Sequence, residues 1–206
     1  MAHSPPAEFQ HVVRLTVPVV LASGSPRRTL LLSAAGIEHR VVVPDVDEKP
    51  VDGETPDAYV LRLSADKAAV VAAAAAGDVV IGADTTVVHR GEILGKPENT
   101  AAAVAMLRRL QGDIHRVLTG WTVRSGASEQ FGIAETRVRF RPRTDDELAA
   151  YVTRVQPFDK AGAYALQGDA GWLVESVEGS RSNVMGLPIA DVIGALRSFG
   201  VERSAP

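Results

Sequence analysis

The residues best suited to chemistry begin with Ser23-Gly-Ser-Pro-Arg-Arg28. Ser25 is a good N-cap and Pro26 suits the first helical position, which puts Arg27 and Arg28 in a first helical turn. Positive charge there opposes the helix macrodipole and costs about 0.3–1 kcal/mol per residue unless an anion offsets it. Ser23, Gly24 and Ser25 are small enough for backbone N–H groups to close around an oxyanion, and two guanidinium forks can grip phosphate bidentately. The alternative is a solvated helix start whose arginines pair with nearby acids. Asp84 interrupts the apolar run Val79-Val-Ile-Gly-Ala-Asp84-Thr-Thr-Val-Val88. Such a run predicts a central strand covered on both faces, with Asp84 at or near its end. A carboxylate in that setting is either satisfied by backbone donors or serves as metal ligand or general base. Lys67 falls in line with Val60, Leu63 and Val70 at helical spacing, so it either snorkels out of an apolar stripe or reaches into a polar site. Lys96, in Gly95-Lys-Pro97, is a further candidate phosphate contact.

These residues need elements to position them. Pro18–Ala22 reads as a buried first strand, followed by a helix from Pro26 to Gly36 with Leu30, Leu31 and Ala34 inward. A short strand over 39–43 precedes Pro44-Asp-Val-Asp-Glu-Lys-Pro50, whose dense acids read as a solvated loop when taken alone. Thr55-Pro56 starts a helix running to Gly77. After the Asp84 strand, a helix over 100–110 leads to an antiparallel pair, 115–124 and 129–141, turning at Ser125-Gly126. Thr144-Asp-Asp-Glu147 is a capping box for a helix that ends before Pro157. The glycine-rich stretches 160–168 and 178–188 imply backbone packed closely on a strand or a ligand, and Pro188 opens a last helix stopped by Gly200.

A chain of 206 residues with 46% hydrophobic and 23% charged residues is ordinary globular material, read as one α/β domain over 18–200. Residues 1–17 read as a loosely ordered extension and 201–206 as a tail. The net charge of −3 disfavours a nucleic-acid binder, and the absence of cysteine excludes disulfides, thiolate chemistry and Cys-ligated zinc. No apolar run approaches a membrane span and no signal peptide is recognisable, so a cytoplasmic protein is expected.

Taken in order, the segments Leu21–Arg28, Val46–Glu48, Arg62–Lys67, Gly82–Thr85, Lys96-Pro97, Asp159–Gly168 and Glu178–Pro188 closely resemble the Maf family of nucleoside-triphosphate pyrophosphatases. The resemblance runs from about Val19 to Phe199. It implies a mixed α/β fold related to that of the inosine triphosphatases, with an elongated twisted sheet, flanking helices and two lobes around a cleft. It also implies hydrolysis of the α–β bond of a nucleoside triphosphate, a divalent cofactor (Mg²⁺ or Mn²⁺) and a possible homodimer. Ser23, Arg27 and Arg28 match the family's loop motif, and Glu48, Lys67, Asp84 and Lys96 match its other polar positions. The position of Asp84 is that of the family's proposed proton acceptor. With such a substrate, Arg27, Arg28, Lys67 and Lys96 would offset phosphate charge, and Glu48 and Asp84 would offer hard oxygen ligands to the metal. Asp84 is then a candidate base, a candidate metal ligand, or both.

Within the family, Arg27, Thr85 and Gln167 resemble the branch acting on thymidine and uridine triphosphates. The branch acting on 7-methylguanosine triphosphate has tryptophan, glutamine and glutamate at these places. A glutamine amide can accept from N3–H and donate to O4 of thymine or uracil. The chain departs from the family at Ala165, where glycine is common, and at Arg181, where an aromatic residue is common. A competing expectation is a non-catalytic nucleotide- or nucleic-acid-binding regulator of cell division, which would have no need of two acids beside four cations.

Overall fold

A computed structural model describes residues 17–166 and 170–201. The chain opens with β1 (Val19–Ala22), α1 (Pro26–Ala34), β2 (Arg40–Val42), α2 (Pro56–Ala74) and β3 (Val79–His89). β1 lies parallel to β2 on one side and to β3 on the other. The rest of the sheet is antiparallel: β4 (Glu92–Leu94), β5 (Ile114–Ser125), β6 (Ser128–Phe140) and β7 (Val174–Glu178). The result is a mixed seven-stranded sheet in the order β2-β1-β3-β5-β6-β7, with β4 also on β3. Around it stand α3 (Thr100–Leu110), α4 (Asp145–Val155), α5 (Ala170–Leu173), α6 (Arg181–Val184) and α7 (Ile189–Ser198). No helix among the described residues is long and apolar enough to cross a membrane.

Apolar side chains gather at the two ends of the long strands and so make two lobes. At one end Leu21, Leu32, Ile81, Val123, Val192 and Leu196 pack α1 and α7 against the sheet. At the other, Leu94, Leu107, Phe140, Leu148 and Tyr151 pack α3 and α4. β3 runs through both lobes. β1 accompanies it only as far as the pair Ala22–Gly82, and β4 joins the same edge only at Val87–Leu94. Between them Ala83–Thr86 has a strand neighbour on one side only, and the cleft opens along that free stretch. An open edge lets side chains from both faces of one strand reach the same space.

α2 lies unusually close to the sheet. A Cβ at Gly82 would stand 2.1 Å from the Ser64 carbonyl oxygen, and one at Gly120 would stand 2.2 Å from that of Val60. The two glycines therefore set the height of the helix above β3 and β5, and Ser64 Oγ meets Thr122 Oγ1 at 3.0 Å across the contact.

Several expectations are corrected. Asp84 sits in the middle of β3, because the strand continues five residues beyond it to pair with β4 and β5. On α1 the inward residues are Arg28, Leu31 and Leu32, while Leu30 and Ala34 are exposed. The helix is rotated to turn a cation into the protein. On α2 the buried row is Val60, Leu63, Ser64, Lys67, Ala68 and Val71, and Val70 is exposed. Ser25 occupies the N-cap of α1 without a side-chain capping bond; instead its N–H donates to Ser23 Oγ at 3.2 Å. The capping box at Thr144 and Glu147 forms as expected.

Candidate active site

The cleft encloses about 510 Å³, within the roughly 300–1,000 Å³ usual for small-molecule sites. Ser23, Arg27, Arg28, Glu48, Lys67, Asp84, Thr85 and Lys96, drawn from both sides of the β3 edge, all line it. Gln167 lies outside the described residues; the chain leading to it, Tyr164-Ala-Leu166, runs along the cleft wall.

Close packing at Gly82 puts Lys67 directly over Asp84, two residues along the same strand face. Lys67 Nζ lies 2.6 Å from Asp84 Oδ1 and 2.5 Å from Glu48 Oε1. The lysine neither snorkels nor stands unpaired, and Asp84 is held by an ammonium rather than left to backbone donors. Glu48, from a loop that reads as merely solvated, becomes the second arm of this bridge. Burial works to raise its carboxyl, but the hydrogen bond and charge of Lys67, aided by Lys96 and Arg28, outweigh it and hold the pKa below its ordinary value.

On the opposite face of β3, Thr85 joins a second group. Arg28 donates to Gly186 O (2.7 Å), Ser23 Oγ (2.9 Å) and Thr85 Oγ1 (3.2 Å), which occupies three of its five N–H groups. Burial pulls its pKa below the usual value, against the fields of Asp84 and Glu48. Arg28 thus ties α1 to β3 and to the turn at Gly186, and keeps two N–H groups for an anion. Arg27 is more exposed and pairs with Asp159 Oδ2 at 3.1 Å, while Asp159 Oδ1 takes Lys160 at 2.5 Å. The pairing of a helix-start arginine with an acid is therefore realised at Arg27 and not at Arg28.

Three contributors gave no sufficient sign in the sequence. Tyr59 lies two turns before Lys67 on α2 and lines the cleft. Its hydroxyl donates to the Glu48 carbonyl at 3.0 Å; burial first, then the charges of Asp84 and Glu48, push its pKa up to about 12. With Arg62, which reaches Lys49 O at 3.1 Å and clamps Glu54, it fastens the acidic loop to α2. The i, i+4, i+8 spacing to Leu63 and Lys67 was the available signal for Tyr59. Thr119 Oγ1 meets Thr85 Oγ1 at 2.8 Å, and Asn183 donates to Val117 O and Thr136 Oγ1; both depend on strand pairing and carry no local signature.

Glu48 and Asp84 could offer hard oxygen ligands to a small cation. Both carboxylates converge on the Lys67 ammonium, and among the described residues no group of three or more His, Cys, Asp or Glu is arranged to hold a metal. Two protein carboxylates with the remaining positions left to phosphate and water suit Mg²⁺ or Mn²⁺ better than a metal needing a full protein cage.

Asp159 competes with any anion for Arg27 and Lys160. Asp159→Asn should therefore tighten pyrophosphate binding, by up to about fivefold, since exposed pairs of this kind are worth at most about 1 kcal/mol. Titration with pyrophosphate as an anion probe measures it; weaker binding by the variant would assign Asp159 a direct part in holding the anion.

The model of the family described as Maf-like protein matches residues 18–199. The chain is 50% identical over 186 residues to a protein of Geotalea uraniireducens named dTTP/UTP pyrophosphatase, covering 88% of this chain and 95% of that one. Proteins of the same name from Geobacter sulfurreducens and Myxococcus xanthus are 47% and 46% identical. Those alignments cover 88% and 89% of this chain, and 96% and 93% of the relatives.

Proposed function

This chain belongs to the Maf-like protein family, and from that membership together with its cleft we propose that it hydrolyses nucleoside triphosphates, dTTP and UTP foremost, to the monophosphate and pyrophosphate. The observation carrying the proposal is the pairing of opposites in one cleft: two carboxylates on Lys67, flanked by Arg27, Arg28 and Lys96. A triphosphate brings three to four negative charges, and preorganised cations at the cleft wall are suited to hold them while charge shifts toward the leaving pyrophosphate. Arg28 and Ser23 grip from the mouth of α1, Lys96 from the turn after β4, and Lys67 from the floor. A divalent ion held by Glu48 and Asp84 would supply Lewis-acid charge to the phosphate oxygens. Asp84 accepts the proton of the attacking water as it approaches the α-phosphorus in line, and the Lys67 ammonium, 2.6 Å away, holds the carboxylate in position before the substrate arrives. Tyr59, protonated at neutral pH, keeps the Glu48 loop in place.

Incubating the protein with each common nucleoside triphosphate plus Mg²⁺ or Mn²⁺ tests the proposal. Pyrophosphate should appear fastest from dTTP and UTP, and no pyrophosphate from any of them would refute it.

Base choice falls to Gln167, whose amide can accept from N3–H and donate to O4. An amide held in one orientation should favour UTP over CTP by roughly 10- to 100-fold, because the wrong base leaves a buried group unpaired at a cost of about 1–3 kcal/mol. Gln167→Glu cannot donate to O4 and should erode that preference. Comparing kcat/KM for UTP, CTP and GTP checks this; an unchanged ranking in the variant would mean that the base is read elsewhere.

A further inference from the structure

Within the cleft the carboxylates of Glu48 and Asp84 are both paired to one cation, and Lys67 is the centre of that arrangement. Its side chain is 8% exposed, and its ammonium is the shared partner of Glu48 Oε1 and Asp84 Oδ1. Close packing of α2 at Gly82 sets the height from which the lysine reaches the two carboxylates. The carboxylate pair that suits a divalent ion is therefore already satisfied by a cation built into the chain. A divalent ion and an ammonium cannot both draw fully on the same two negative charges.

We infer that Lys67 is a resident counter-ion: it holds Glu48 and Asp84 together before a metal arrives, and it exchanges partners when one does. The inference rests on the pyrophosphatase reading for the new partner, which is a phosphate oxygen of the incoming triphosphate. Metal and triphosphate then bind with positive coupling. The metal releases the ammonium that the phosphate needs, and the phosphate accepts the ammonium that the metal displaces. Reciprocity follows from linkage: each ligand raises the affinity for the other by the same factor. A further consequence is that a metal alone binds weakly, so the cleft loads with the metal–nucleotide complex rather than in two independent steps.

The test uses the full chain freed of metal and nucleotide, with Mn²⁺ alone as the probe and its free ion followed by electron paramagnetic resonance. Lys67→Gln removes the competing charge and should bind Mn²⁺ more tightly than the parent, by a factor in the range of roughly 5- to 150-fold typical of coupled sites. Lys67→Arg keeps the charge and should bind Mn²⁺ as weakly as the parent. Equal or weaker Mn²⁺ binding by folded Lys67→Gln overturns the inference. If Lys67→Gln does not fold by itself, because two carboxylates then face each other, Mn²⁺ should stand in for the ammonium and restore cooperative thermal melting. Failure of Mn²⁺ to restore it would also overturn the inference. Turnover plays no part in this readout. Failure of the pyrophosphatase reading would instead appear as absence of pyrophosphate from the parent, whatever the Mn²⁺ result.

Discussion

Asp84→Asn should abolish measurable turnover and leave the fold standing. Asparagine keeps the shape and still offers an oxygen to Lys67 Nζ, 2.6 Å away in the parent, but it cannot take a proton and brings no charge to a metal. Loss of a general base alone removes roughly 10²- to 10⁴-fold in rate, and loss of a carboxylate proposed to hold a metal would add to that. The stability cost is limited because Lys67 retains Glu48, whose side chain is half exposed. Thermal melting within a few degrees of the parent, together with kcat down by at least two orders of magnitude, is the expected pair of results. A folded variant with a near-parental rate would remove Asp84 from the chemistry.

Gly82→Ala carries the second large effect, and it acts on structure first. The added Cβ would lie 2.1 Å from Ser64 O and 2.8 Å from Ala68 N, both on the backbone of α2, so no side chain can swing aside to make room. Overpacking of this kind costs about 1–3 kcal/mol or more. For a chain of this size that lowers the melting temperature by roughly 2–12 °C. Lys67 is one turn from Ser64 on the same helix, so the displacement also carries the ammonium away from Asp84, and misplacement of a catalytic group by about 1 Å can cost on the order of 100-fold in rate. Gly194→Ala is the matched control. It lies within α7 with nothing within 4 Å of its added Cβ, and should be neutral or slightly stabilising. Parental melting and rate in Gly82→Ala would show that the helix height does not position Lys67.

Much of this site was legible because its signals are local. A carboxylate inside an apolar run, a lysine in register with an apolar stripe, and arginines in a helix's first turn each break a rule that neighbours in sequence obey. The antiparallel pair β5–β6 and the capping box at Thr144 were legible for the same reason. What escaped depends on partners distant in sequence. The cleft lies at mid-strand because β1 stops at Ala22 and β4 reaches back along β3 only as far as the pair Val87–Leu94, and nothing within β3 itself records where its neighbours end. Leu30 and Leu32 are equally apolar, and only the demand that Arg28 reach Gly186, 158 residues away, chooses between the two rotations of α1. Glu48 looked like one acid among several until the fastening of its loop by Tyr59 and Arg62 carried it to Lys67.

The central claim is that water attacks the α-phosphorus of a pyrimidine triphosphate in the cleft at β3. Turnover of UTP in water labelled with heavy oxygen, followed by phosphorus NMR, tests it most directly. The account predicts UMP and pyrophosphate as the only products, with the label on the phosphate of UMP. Release of UDP and inorganic phosphate, or label on the pyrophosphate, would contradict it.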